Sequence, residues 1–241
     1  MVESAMIELS IAEVADRFPG FRVAFGLLEG LGPLPRDPGA VETYVRGAEA
    51  EAARLVAGTE VADLPEVLHW RAAYRAFGSK KTSYRDAGEA LLRRLRSGLG
   101  LPRILPLVDL YNAVSVRHRV PAGADDLALV SPPCAFRYAR PGDSFLDGGQ
   151  SPPVEDPPAA GEVVYADSEK CLCRRWNWRQ DARSRIRAET LDALIVVQTL
   201  EDDGAARLAR AAAEMSAVAT AAWGARSRWA VASAAVPAVR I

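Results

Sequence analysis

Histidine is nearly absent from this chain, with only His69 and His118 in 241 residues. They stand far apart, and neither falls in an HxxxH spacing, which excludes a sequence-local zinc hydrolase signature. Cysteine is scarce too: Cys134, Cys171 and Cys173 are an odd number and form no disulfide framework. Lysine supplies only three of the 30 cations (Lys80, Lys81 and Lys170), and arginine the other 27. A formal net charge of -1 excludes coating of nucleic acid through bulk positive charge. No apolar run reaches the ~18 residues of a membrane span; the nearest, Ala211 to Trp223, is short and interrupted by Glu214. Met1 to Ser10 carries Glu3 and Glu8 where a signal peptide would be apolar. No serine sits in a GxSxG elbow, and there is no P-loop or GxGxxG. The expected setting is cytoplasmic, with no membrane or DNA partner, no metal and no cofactor.

With 49% hydrophobic and 25% charged residues, the chain has enough apolar surface for one sizeable core. Phe21 to Leu28 reads as a buried strand closed by Gly30, Gly32, Pro33 and Pro35. Asp37-Pro38 opens a helix to about Ala57, with Val41, Tyr44, Val45, Ala48, Ala52 and Leu55 on one face. Further helices are expected at Leu64 to Phe77, at Ser83 to Ser97 with Ser83 as N-cap, and at Ile104 to Arg117. From Leu127 the pattern shortens to strands: 127–130, 135–138, 162–166, 171–178, 193–200 and 228–236. Gly148 to Gly161 is rich in Pro and Gly and reads as a surface loop. Asp202-Asp203-Gly204 opens a last helix that Gly224 stops after Trp223. The expected fold class is therefore α+β in a single domain over 1–241, with a helical part to about 120 and a β-rich part after it.

Two clusters carry chemistry. Cys171 and Cys173 share a strand face and, with Cys134, supply three thiols, either as plain core residues or as zinc ligands lacking an evident fourth. The run Cys173-Arg174-Arg175-Trp176-Asn177-Trp178-Arg179 is the most unusual in the chain. Strand alternation places Arg175, Asn177 and Arg179 on one face and both tryptophans on the other. Trp faces stack on bases and Arg forks hold phosphate, whereas a half-buried strand with a solvated Arg face gives the same pattern.

Read in order, Trp70-Arg71-Ala72-Ala73-Tyr74-Arg75-Ala76-Phe77-Gly78, Ser83-Tyr84-Arg85, Glu89-Ala90-Leu91-Leu92-Arg93-Arg94 and Leu101-Pro102-Arg103-Ile104 resemble the freestanding B3/B4-domain proteins. So do Val108-Asp109-Leu110-Tyr111-Asn112, Pro121 to Leu127, Arg137 to Asp143 and Gly161 to Asp167. The resemblance spans roughly 60–200, and the order of the motifs carries it rather than any one of them. It implies a B3/B4-like fold with a mixed, barrel-like sheet core and flanking helices, mainly in the N-terminal half.

The family is similar to the editing module of the phenylalanyl-tRNA synthetase β subunit, which hydrolyses tRNA mischarged with tyrosine. The resemblance implies a trans-editing aminoacyl-tRNA deacylase that uses a positioned water; the alternative is a non-catalytic module that binds tRNA or an amino acid. Editing answers a physical limit, because an apolar synthetic pocket rejects near-isosteres weakly. An aminoacyl ester is already activated, so positioning and polarisation suffice without a nucleophilic triad. Carried over residue by residue, Asp109-Leu110-Tyr111-Asn112 matches an Asp-Val-Thr-Asn run of the editing pocket, keeping Asn112 and replacing Thr by Tyr111. Gly123 stands where the family has a useful His, and Cys173 to Trp178 replaces a Gly-rich run. Gln198 is the nearest polar candidate for the Glu that reads a tyrosine hydroxyl. The expected catalytic residues are Asn112 and Gln198. The expected substrate contacts are Tyr111, Arg137, Arg140, Arg174, Arg175, Asn177 and Arg179, holding a tRNA acceptor end and a small amino-acid moiety.

Overall fold

Strand β2 (Arg22–Glu29) is apolar on both faces, and it is covered on both. Val23, Phe25 and Leu27 point into one core cluster, while Ala24 and Leu28 point into another. Its neighbour β10 (Asp192–Thr199) divides in the same way, with Leu194 and Val196 against Ala193, Ile195 and Val197. Period-2 alternation puts successive side chains on opposite faces, so these two strands form the middle of a layered core. The computed structural model describes residues 6–79, 83–149 and 151–241. Met1 to Ala5 of the expected signal-free terminus, Lys80, Lys81 and Gln150 of the expected surface loop lie outside the described residues.

The order β11 (Arg226–Ala232), β2, β10, β3 (Ala122–Asp126) makes a four-stranded sheet with antiparallel pairings. Gly26 is required there, because a Cβ would lie 2.4 Å from the Trp229 ring that crosses the strand. Four helices cover one face: α2 (Pro38–Gly58), α4 (Ala87–Arg96), α5 (Pro106–His118) and α6 (Ala205–Trp223). The other face packs on a six-stranded sheet. Its order is β12 (Ala238–Arg240), β1 (Glu8–Ser10), β4 (Cys134–Tyr138), β7 (Val163–Ala166), β8 (Cys171–Arg174), β9 (Arg179–Gln180). A short helix α1 (Ala12–Ala15) follows β1, and α3 (Pro65–Ala76) closes one end, giving Val67 to one cluster and Trp70, Ala73 and Tyr74 to the other. A two-stranded ribbon, β5 (Leu146–Asp147) with β6 (Val154–Glu155), stands apart.

The α+β class and the concentration of helices in the N-terminal half match the expectation, but the sheets are open layers, not a closed barrel. The N-terminal part is not purely helical, since β1 sits inside the six-stranded sheet and β2 inside the four-stranded one. Among the described residues no helix is long and apolar enough to cross a membrane.

Three local expectations are corrected. The third helix begins at Ala87 rather than near Ser83, because Asp86 caps it by accepting from the Glu89 N–H at 3.0 Å. Leu127–Leu129 is a 3₁₀ turn, and the strand precedes it: Asp126 turns the chain by accepting from the Ala128 N–H at 3.1 Å. Ala-Gly-Ala-Asp-Asp has poor strand propensity, and pairing with β10 imposes its conformation. Finally, 171–178 is no continuous strand. It breaks after Arg174, where Arg175 and Trp176 take φ of 45° and 66°.

Candidate functional site

That turn forms one wall of a cavity of about 190 Å³ at the β3 edge of the four-stranded sheet. Each surrounding element contributes a side chain for a local reason. On β3, Gly123 and Asp125 share one strand face. On β10, Val196 and Gln198 share the face that turns away from the helices, and both line the cavity. The middle of α5 brings Tyr111 and Asn112, β7 and β8 bring Tyr165, Leu172 and Cys173, and the turn brings Asn177 and Trp178. Arg179 and Gln180 of β9 complete the lining.

Three buried side chains are linked in series. The Tyr74 hydroxyl donates to Asn177 Oδ1 at 2.9 Å, and Asn177 Nδ2 donates to Gln198 Oε1 at 3.4 Å. With Gln198 Oε1 accepting from Asn177, its amide nitrogen is the group left to donate. The backbone holds the same residues: Ala87 N donates to Asn177 O at 3.1 Å, and Gln198 N to Pro121 O at 2.9 Å. Asp125, only 4% exposed, is fixed through Oδ1, which accepts from Gln180 Nε2 and from Ser184 Oγ, each at 2.7 Å. Burial raises its carboxyl from 3.8 to about 7 against those two hydrogen bonds. Burial also pushes the Tyr111 hydroxyl and the Cys173 thiol upward, so both stay protonated near neutrality.

Of the expected site residues, Asn112, Gln198, Tyr111, Asn177 and Arg179 converge on this cavity. The other arginines do not. Arg174 is buried, making hydrogen bonds of 3.0 and 2.9 Å to both oxygens of Glu162 and an ion pair with Asp156. Arg137 grips Asp143 with two bonds of 2.7 and 2.8 Å, and Arg140 pairs with Glu13. Both line a separate recess beside Cys134 and Asp167. Arg175 lies outside the lining, its guanidinium 3.8 Å from the Tyr84 ring and 4.4 Å from that of Trp178. Arg179 stacks on Trp178 at 4.6 Å and pairs with Asp147, while 45% of its side chain stays exposed.

The expected placement of both tryptophans on one strand face is also corrected. Trp176 is fully buried among Phe18, Phe21, Trp70 and Phe77, whereas Trp178 stays at the cavity wall. The zinc alternative finds no support in the geometry, since among the described residues no three His, Cys, Asp or Glu side chains gather as metal ligands. Cys134 and Cys171 are buried thiols raised to about 12. Sequence reasoning missed Asp125, Gln180 and the linking Tyr74. A carboxylate two positions beyond Gly123 on the same strand face was the available signal for Asp125.

The model of the B3/4 domain family matches residues 69–220. Among solved structures, the chain is similar to an N-terminal fragment of the phenylalanyl-tRNA synthetase beta-subunit from Pyrococcus horikoshii, at 16% identity and a TM-score of 0.42. The matched region covers 51% of this chain and 41% of that one. No curated protein matches.

Proposed function

This chain belongs to the B3/4 domain family, and from that premise we propose that it is a cytoplasmic trans-editing deacylase, hydrolysing the ester of a mischarged aminoacyl-tRNA in the β3-edge cavity. The observation that carries the reading is the meeting of Asn112, Asn177 and Gln198 there. These three neutral amides come from a helix, a turn and a strand, and two of them are linked by a hydrogen bond.

An aminoacyl ester needs little chemical activation. A water held in line with the carbonyl carbon and a donor on the carbonyl oxygen supply the main terms. In this reading the Gln198 amide nitrogen, its oxygen being occupied by Asn177, donates to the ester carbonyl. Asn112 holds the attacking water. Tyr111 and Gly123 bound the space for the amino-acid side chain, and Arg179 at the rim meets a phosphate of the acceptor end. The test is to incubate the purified protein with tRNAs carrying a panel of wrong amino acids and to follow ester loss. Acceleration over buffer for at least one supports the reading, and none for any overturns it.

A second reading, a module that binds aminoacyl-tRNA without turnover, is favoured by the absence of an imidazole from the cavity. Gly123 occupies the position where the family has one. His118 is buried 3.1 Å from Glu214, and His69 lines a groove near Arg17. This reading predicts salt-dependent tRNA binding with an unchanged ester lifetime.

A further inference from the structure

Ten buried carboxylates can be followed among the described residues, and eight have a cation. Glu66 pairs with Arg119 and Arg207, Glu89 with Arg71 and Arg93, and Glu162 with Arg174. Asp126 has Arg187, Asp147 has Arg179, Asp167 has Lys170, Asp181 has Arg183 and Glu201 has Arg207. The exceptions are Asp86 and Asp125. Asp86 is accounted for as the cap of α4. Asp125 has no such duty. It lies in the cavity wall, and its two donors, Gln180 and Ser184, are both neutral.

The arginines nearest in sequence are engaged elsewhere: Arg183 and Arg187 in the ion pairs above, and Arg185 in a 3.3 Å bond to Gly148 O. Beside Asp125 on the same face, a Cβ at Gly123 would meet nothing within 4 Å, so open space adjoins the carboxyl. A buried carboxylate is costly without a partner charge. A ligand that carries an ammonium into this space supplies the charge and three donors together.

We infer that Asp125 is the recognition site for a primary ammonium group, so that the cavity selects ligands with a free amine. The inference rests on the proposed reading in that an aminoacyl ester carries such a group on its α-carbon. N-acylated or amine-free ligands of the same shape are excluded, because they bring a bulkier neutral group to a charge that needs a cation. Asp125 here is a binding residue, and the hydrolytic step does not pass through it.

The experiment is a calorimetric titration of the whole protein with the L-amino-acid amides and with the N-acetyl amide of each. The expected result is that at least one free amide binds and that its N-acetyl counterpart binds at least tenfold more weakly. Asp125→Asn keeps an oxygen for Gln180 and Ser184, and is expected to remove that preference while leaving the affinity for the acetylated ligand unchanged. Equal affinity for the free and acetylated amides overturns the inference, as does binding of no amide at all, or a preference that survives Asp125→Asn. The comparison on the unsubstituted protein decides the question even if the variant fails to fold. Amine preference without deacylation of any mischarged tRNA leaves this inference standing and removes the deacylase reading; deacylation with equal acceptance of N-acetylated substrates does the reverse.

Discussion

Asp86 ties the stability of the fold to pH in a way that can be measured. Its Oδ1 caps α4, and Ala87, the first residue of that helix, donates its N–H to the turn that carries Asn177. The carboxyl is 3% exposed and has no cation partner among the described residues, and Oδ2 has no hydrogen-bond partner. Burial, helped by the nearby Glu89 charge, raises it from 3.8 to about 7 against the backbone N–H groups it accepts from. Between those values the folded protein holds a proton that the unfolded chain has released. Stability therefore falls as pH rises through that window and levels off above about 7. A displacement of that size corresponds to about 4 kcal/mol. Asp86→Asn keeps the cap and removes the charge. Its stability relative to the unsubstituted protein should rise with pH, from near parity at pH 4.5 to a gain of about 2–4 kcal/mol at pH 8.5, allowing for an imperfectly paired amide. Urea unfolding followed by tryptophan fluorescence at both pH values measures the difference. A gap independent of pH would refute the reasoning, as would a variant less stable at both.

Two further outcomes are expected. Tyr74→Phe removes the donor that fixes the Asn177 amide, so deacylation should drop about tenfold or more, while stability falls by only about 1–3 kcal/mol; unchanged turnover in single-turnover assays would mean that Asn177 and Gln198 hold their orientation without it. Arg174→Ala strips Glu162 of its buried partner and should cost about 3–5 kcal/mol by chemical denaturation, whereas a loss below about 1 kcal/mol would place the pair among surface ion pairs.

The parts of the fold legible in the sequence are those whose pattern is local. Phe21 to Leu28 and Ala193 to Leu200 announce buried strands because both faces are apolar, and the helix after Asp37 shows its cap and its stripe. The run Arg174 to Arg179 is not legible in the sequence because its conformation is imposed from outside. Glu162 accepts from the Arg175 N–H at 2.9 Å, Trp176 N donates to Val163 O at 2.6 Å, and the Trp176 ring is locked among four aromatics. Positive φ at two non-glycine residues leaves no trace in alternation.

The engagement of the arginine clusters is hidden from the sequence for a related reason. Arg140 and Arg174 are spoken for by acids from other parts of the chain, Glu13 and Glu162, and Arg137 by Asp143 of the turn after β4. Asp125 and Asp126 are adjacent and chemically identical. One is paired with Arg187 from beyond β9, and the other faces the cavity with neutral donors on its carboxyl, a difference set by strand parity together with the placement of distant chain.

In the proposed function an aminoacyl ester is broken in the cavity beside β3. The most direct measurement is single-turnover hydrolysis of a mischarged tRNA panel by the unsubstituted protein and by Gly123→Leu. A Cβ at that position meets nothing within 4 Å, so a larger side chain there grows from open space in the cavity lining. Accelerated ester loss is expected for at least one mischarged tRNA, abolished by Gly123→Leu at unchanged stability. Ester lifetimes equal to buffer across the panel, or full activity in Gly123→Leu, would contradict it.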